Sequence, residues 1–275
     1  MFECSVCYIL AIFFIGVFAL WFIRSVIPRR SKPSLVIKNW EKDVVYVCAP
    51  IMPQRFCYGL SEYALKVEAY LKIANIKFKT INTFKTSSRG QIPFIELNGT
   101  HLPDSNLILD HLQEVFPDSN IDNHLSSSDR ASAFAFCWMI EEVLYRLIAY
   151  FKYANASEMA EHVNFGGVWI NNLSRVIAYY IVNRNKKKLY FQGFGRYTKE
   201  EASLLMDKCF TSISEQLGDK KFLFGDKPCR SDVHLLIALE ILRMPYLTKH
   251  LDYAKFPQLE NYYKRMATLS GFNIV

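Results

Sequence analysis

The chain has 275 residues, 51% of them apolar, 15% aromatic and 21% charged. That composition excludes intrinsic disorder and, at ~100 to 200 residues per domain, points to two modules with appendages. The net charge of +7 divides between residues 1–43, where six Lys and Arg face three acids, and a remainder of +4, an excess too weak to argue for nucleic acid. Seven cysteines at irregular spacing exclude the paired framework of small secreted domains and read as reduced thiols.

Residues 5–23 (SVCYILAIFFIGVFALWFI) carry no charge, and a helix of that length nearly matches the ~30 Å hydrocarbon core of a bilayer. Glu3 is the only charge ahead of the run, which therefore lacks the basic start of a cleaved signal peptide. It predicts one transmembrane anchor. Arg24, Arg29, Arg30, Lys32 and Lys38 follow, and because excess Lys and Arg mark the cytosolic side, the expectation is a single-pass membrane protein with a cytosolic body. Pro28 and Pro33 bracket a basic linker suited to anionic head groups. Cys4 and Cys7, at the start of the apolar run, read as membrane-facing or acylated thiols rather than a metal site.

After this anchor and linker, residues 44–117 carry an α/β pattern. Residues 44–49 (VVYVCA) are β-branched and aromatic and end at Pro50, as a buried strand entering a loop does. Ser61 then precedes EYALKVEAYLKIANI, a helix with a broad apolar face and Ser61 in the N-cap position. Residues 77–83 alternate as a second strand, and IPFIEL, Asn98-Gly99 and residues 100–102 read as a β-hairpin. Asp104-Ser105 opens another helix, NLILDHLQEVF. The order β-α-β then β-β-α, with Pro93 before the third strand, is the skeleton of a thioredoxin-like fold.

Residues 118–275 predict an all-helical domain. Ser126 to Asp129 form an N-cap cluster ahead of a long helix. A second helical region covers residues 158–182, interrupted at Gly166-Gly167, and the basic run 184–188 reads as its solvated end. Thr198 and Glu201 have capping-box spacing, and Gly218 closes the helix they open. VHLLIALEILRM is apolar on nearly every face, a central buried helix in which His234 reads as a satisfied core histidine. Phe256-Pro257 begins a last helix ending near Leu269.

Arg89 to Gly99, followed by Leu102-Pro103-Asp104-Ser105-Asn106-Leu107-Ile108, resembles the proline and acidic-serine motifs of cytosolic glutathione transferases. Ser61 to Leu71, and the run from Leu217 through Gly225-Asp226-Lys227-Pro228, more closely resemble the failed-axon-connections and metaxin-like branch, to which anchored nematode cadmium-responsive proteins belong. The resemblance implies a thioredoxin-like domain plus an all-helical transferase domain, with glutathione as ligand or co-substrate, and it allows a homodimer. It also implies a cis bond at Ile92-Pro93, with the Ile92 backbone pairing the cysteinyl part of glutathione. Ser105 would take the γ-glutamyl carboxylate and Asp104 the ammonium group; both would otherwise serve as helix-capping residues. For activating the glutathione thiol, Tyr46 lies within strand one, and Cys48, Cys57, Tyr58 and Ser61 fall between its end and the start of helix one. Ser61 is the favoured catalytic candidate, although N-capping alone explains a serine there, and Ala64 stands where the branch often has Cys. Cys48 reads as a core residue.

Gly225, Asp226, Pro228 and Asp232 match the family's helix-nucleating box, with Cys229 where Ser or Thr is expected; a thiol accepts weakly, so a weakened cap is expected. A soft-metal site needs clustered thiolates, and Cys137, Cys209 and Cys229 are scattered, so protection against cadmium or xenobiotic stress would act through glutathione and no metal site is expected. Two functions fit: conjugation of glutathione to an electrophile, or a non-catalytic adaptor of the same fold at a membrane. Fold alone does not decide between them.

Overall fold

The computed structural model of the chain describes residues 16–17, 34–50, 61–154, 158 and 171–272. Strand β1 (Val45–Ala49), helix α1 (Glu62–Ile73) and strand β2 (Phe78–Asn82) form a parallel β-α-β unit, and β3 (Phe94–Leu97) and β4 (Thr100–Pro103) add an antiparallel hairpin. The sheet order is β2-β1-β3-β4, with β3 antiparallel to β1. The hairpin turns where the sequence places it, with Asn98 and Gly99 both at positive φ (49° and 76°), as a tight two-residue loop requires. β1 and β3 are buried along their whole lengths, because α1 and α2 (Ser105–Val115) pack against the sheet. This is the expected thioredoxin-like arrangement.

The remaining described elements are helical: α3 (Ser127–Trp138), a π-helical stretch (Met139–Leu144), α4 (Tyr145–Lys152), α5 (Asn171–Phe191), α6 (Lys199–Leu217), α7 (Arg230–Leu242) and α8 (Pro257–Ser270). The long helix expected after Ser126 is thus α3 and α4 joined through one widened turn. Ser126 caps α3 by accepting from Asp129 N–H, and Thr198 with Glu201 closes a full capping box on α6. α5 continues through the basic run 184–188 rather than ending there. The next turn, Phe194–Arg196, folds back onto α5 so closely that a Cβ on Gly195 would sit 2.6 Å from the Tyr190 backbone nitrogen.

Central helix α7 is buried on nearly every face, as its composition predicts. Its start is fixed by the fully buried Asp232, whose carboxylate accepts from the Cys229 N–H (2.8 Å), the Leu223 N–H (2.9 Å) and the Tyr262 hydroxyl (2.8 Å). The thiol of Cys229 adds a donor at 3.1 Å. Both halves of the box are present although Cys stands where Ser or Thr is expected, and the thiol, a weak acceptor, adds its own hydrogen bond to the Asp232 carboxylate.

The expectation of a single-pass membrane protein is corrected here. Among the described residues no helix is long and apolar enough to cross a membrane. The longest, α5, contains Arg175, Arg184, Lys186, Lys187 and Lys188, and each Lys or Arg at a bilayer centre costs about 2.5 to 3.5 kcal/mol on insertion scales. Apart from Gly16 and Val17, residues 5–23 lie outside the described residues, as do Cys4, Cys7, the basic linker through Pro33, Cys57, Tyr58 and Gly166-Gly167.

Because Asp232 satisfies three donors from three segments, Asp232→Ala is expected to lower the unfolding free energy by about 3 to 5 kcal/mol, the range for breaking a buried polar network, measured by urea denaturation.

Candidate functional site

A cleft of about 990 Å³ lies between the loop ahead of β3 with the starts of α1 and α2 on one side and residues of the helical elements on the other. One wall is the loop ahead of β3. Ile92-Pro93 is a cis peptide bond, and neither the N–H nor the C=O of Ile92 has a backbone partner among the described residues. The adjoining wall is the start of α2. Asp104, at φ 75°, caps that helix by accepting from Asn106 N–H (3.1 Å) and Leu107 N–H (3.3 Å), and its other oxygen lies 3.8 Å from Arg89. Capping thus occupies one Asp104 oxygen. Ser105 is buried, lines the cleft and has no hydrogen-bond partner for its hydroxyl among the described residues.

The fold therefore brings Ile92, Pro93, Asp104 and Ser105 together on one side of the cleft. Ser61 sits apart from them, buried at the N-cap position of α1, and is not among the cleft-lining residues. Its hydroxyl makes no capping hydrogen bond, so the ordinary structural use of a serine at a helix start is not what this one does.

Sequence reasoning missed Tyr63, in the first turn of α1, which does line the cleft. Its oxygen accepts from Arg146 at 3.3 Å, and Arg146 is held in turn by Glu142 at 3.0 and 3.1 Å. Burial, partly offset by Arg146, pushes the phenol up to about 12, so it remains an O–H donor at neutral pH. The signal was available: tyrosine is a thiol-activating residue type, but this one falls inside the helical pattern and was counted as part of it.

Beneath the cleft lies a buried polar cluster. Lys66 on α1, 0% exposed, pairs with Glu141 of the π-helical stretch at 2.5 Å and donates to Asn106 Oδ1 at 2.9 Å. Glu141 also accepts from Asn106 Nδ2 at 3.1 Å and lies 3.0 Å from His234 Nε2. Burial alone would raise the Glu141 carboxyl, but His234 and Lys66 together outweigh it and hold the group at about 2. Burial depresses both Lys66 and His234, against the pull of Glu141. His234 is satisfied, as its apolar setting suggested: Nδ1 lies 3.0 Å from the Arg230 carbonyl oxygen. Nε2 also lies 3.3 Å from Asn106 Oδ1, so its partners on both ring nitrogens are acceptors, and the ring makes hydrogen bonds from both nitrogens only when doubly protonated, a form that burial opposes.

The described cysteines are all buried, and burial raises their thiols. Burial pushes the Cys137 thiol, which lines the cleft, up to about 12, Cys48 likewise to about 12, and Cys209 to about 11. A thiolate, not a thiol, is the reactive form.

The chain matches known proteins along its length. Residues 62–159 match the glutathione S-transferase N-terminal domain family, and residues 206–266 match the glutathione S-transferase C-terminal domain family. Failed axon connections of Drosophila melanogaster is 30% identical across 88% of this chain, which spans 62% of that relative's length. Isoprene-epoxide–glutathione S-transferase of Rhodococcus sp. (strain AD45) is 30% identical across 66% of this chain and 79% of its own. The metaxin-2 homolog of Caenorhabditis elegans is 26% identical across 72% and 86%. A solved glutathione S-transferase of Ceriporiopsis subvermispora, in complex with glutathione, superposes with a TM-score of 0.57 at 16% identity, covering 84% of this chain and 98% of that one. The chain belongs to the glutathione S-transferase superfamily, in its failed-axon-connections and metaxin-like branch.

Glu141 gives a pH signature with a definite sign. Its folded value near 2 lies below the ordinary 4.5, so its contribution to stability is fully present above about pH 4.5 and is lost as pH falls from there through 2. Glu141→Gln should flatten that acid limb in urea-derived stability against pH. Lys66→Met should cost about 3 to 5 kcal/mol at pH 7 by the same method, because it strands a buried carboxylate.

Proposed function

We propose that the cleft binds glutathione and that the protein conjugates it to an electrophile entering from the helical side. The observation that carries this reading is the cleft-lining Ile92, whose backbone N–H and C=O have no backbone partner among the described residues, beside the Ser105 hydroxyl, which has none there either. An extended tripeptide offers a complementary N–H and C=O to the first and a γ-glutamyl carboxylate to the second, where the positive end of α2 adds attraction. Asp104 keeps one oxygen for the ligand's ammonium group. The family membership and the isoprene-epoxide relative, named for glutathione transfer, support the same ligand.

The sulfur of a glutathione so placed would point toward the start of α1. There the Ser61 hydroxyl is free of capping duty and the Tyr63 phenol retains its proton. Tyr63, which lines the cleft, can donate to a developing thiolate, whereas Ser61 does not line it; helix N–H groups favour the anion as well. With a free thiol near ~8.5, that stabilisation would raise the fraction of reactive sulfur at neutral pH. A second reading is a module that binds glutathione without turnover. The raised phenol of Tyr63 favours it, since a weaker acid is a weaker donor to a thiolate.

Calorimetric titration of the full chain with glutathione should show binding, and Ser105→Ala should weaken it by about 1.5 to 3 kcal/mol, the worth of a hydrogen bond to a charged group. Conjugation of chlorodinitrobenzene should fall far more than binding in Tyr63→Phe, because a thiolate contact grows as charge develops on sulfur. Binding with background turnover selects the second reading, and the absence of any binding removes both.

A further inference from the structure

The basic run 184–188 reads in sequence as a solvated helix end, but the structure places it inside α5, which has two distinct faces. One contributes Asn185, Lys188 and Leu189 to the cleft. The other carries two adjacent rows at i, i+4, i+7 and i+11 spacing: Tyr179, Asn183, Lys186 and Tyr190, beside Tyr180, Arg184, Lys187 and Phe191. Each row begins and ends in an aromatic ring with cations between. All four rings are exposed, from 53% at Tyr190 to 80% at Phe191.

A helix face that meets only water carries charged and polar groups rather than four large rings. The cations are also unbalanced. α5 contains five Lys and Arg and no carboxylate, and Arg184 and Lys187 have no ion-pair partner among the described residues. Arg196 lies over the Tyr190 ring at 4.9 Å and brings a further guanidinium to the edge of the patch. Lys186 donates to the Ala154 carbonyl at 2.9 Å, which ties α5 to the end of α4 without neutralising the charge.

We propose that this face of α5 docks on an anionic phospholipid leaflet, lying in the interface instead of crossing it. The rings would sit at the head-group and acyl boundary, with Arg184 and Lys187 reaching the phosphates. Rings and cations together also suit single-stranded nucleic acid, but that ligand is held in a groove, and a lone helix face is convex. A flat anionic surface fits it better. Because the cleft-lining side points the other way, docking leaves the cleft open to water. The contact depends neither on residues 5–23 nor on the glutathione reading.

The test uses the full chain with Phe191→Trp, read by quenching of the introduced indole with brominated lipid against the parent chain's own tryptophans. Vesicles containing phosphatidylserine should quench it and vesicles of phosphatidylcholine alone should not. Arg184→Glu with Lys187→Glu should lower partition onto the anionic vesicles at least roughly tenfold, given the worth of each basic residue near such a surface. Tyr180→Ser with Phe191→Ser, which keeps both cations, should lower it as well. Vesicle sedimentation without quenching of the introduced indole would mean that another part of the chain binds, and would overturn the proposal. So would undiminished partition of the charge-reversed chain, or an indole signal that responds only to an oligonucleotide or to protein concentration.

Discussion

The arrangement of the two halves of this protein around their cleft depends on one buried ion pair, Lys66 with Glu141. A lysine with no solvent exposure costs several kcal/mol in lost hydration, and it is tolerated only where its charge is matched and its donors are filled. Glu141 and Asn106 meet that demand from two different elements, the π-helical stretch and α2. The widened turn at Met139–Leu144 is part of the solution, since π-helical stretches in longer helices recur at functional sites. It places Glu141 inward toward Lys66 and His234, while Glu142 clamps Arg146 at the cleft wall.

That cluster also connects the chemistry of the cleft to its frame. Asn106 follows Ser105 directly and is held by Lys66, Glu141 and Arg230. Arg230, at the first turn of central helix α7, also pairs with Asp110 of α2, and its backbone N–H donates to Asp122. The start of α2 is therefore fixed from both domains. A cleft-lining hydroxyl keeps its position only if its supporting shell does, and here that shell is ionic, buried and shared across the domain boundary.

Much of the fold was legible because its signals are local. Asn98-Gly99, the Thr198–Glu201 box, Gly218 and the apolar run of α7 each specify a backbone event within a few residues, and each occurs where expected. The Asp104-Ser105 pair was legible in the same way, though capping and lining the cleft become separable only in three dimensions: Asp104 caps, whereas Ser105 does not. The membrane-spanning reading failed to find support because no described helix combines the length and apolarity that it needs. In α5, length comes with five cations, while its rings face outward.

The sequence by itself determined the strand and helix order, the caps at Ser126, Thr198 and Asp104, the cis-proline motif and the family, because these are written in near-neighbour motifs. Only the tertiary structure decided that Lys66 is buried, that Tyr63 rather than Ser61 lines the cleft, and that a run resembling a solvated helix end is the middle of an aromatic and basic face. Lys66 meets Glu141 across 75 positions and His234 meets Asn106 across 128. No periodicity within one helix encodes such a meeting, since burial of a charge is settled by the partner that arrives from elsewhere in the chain.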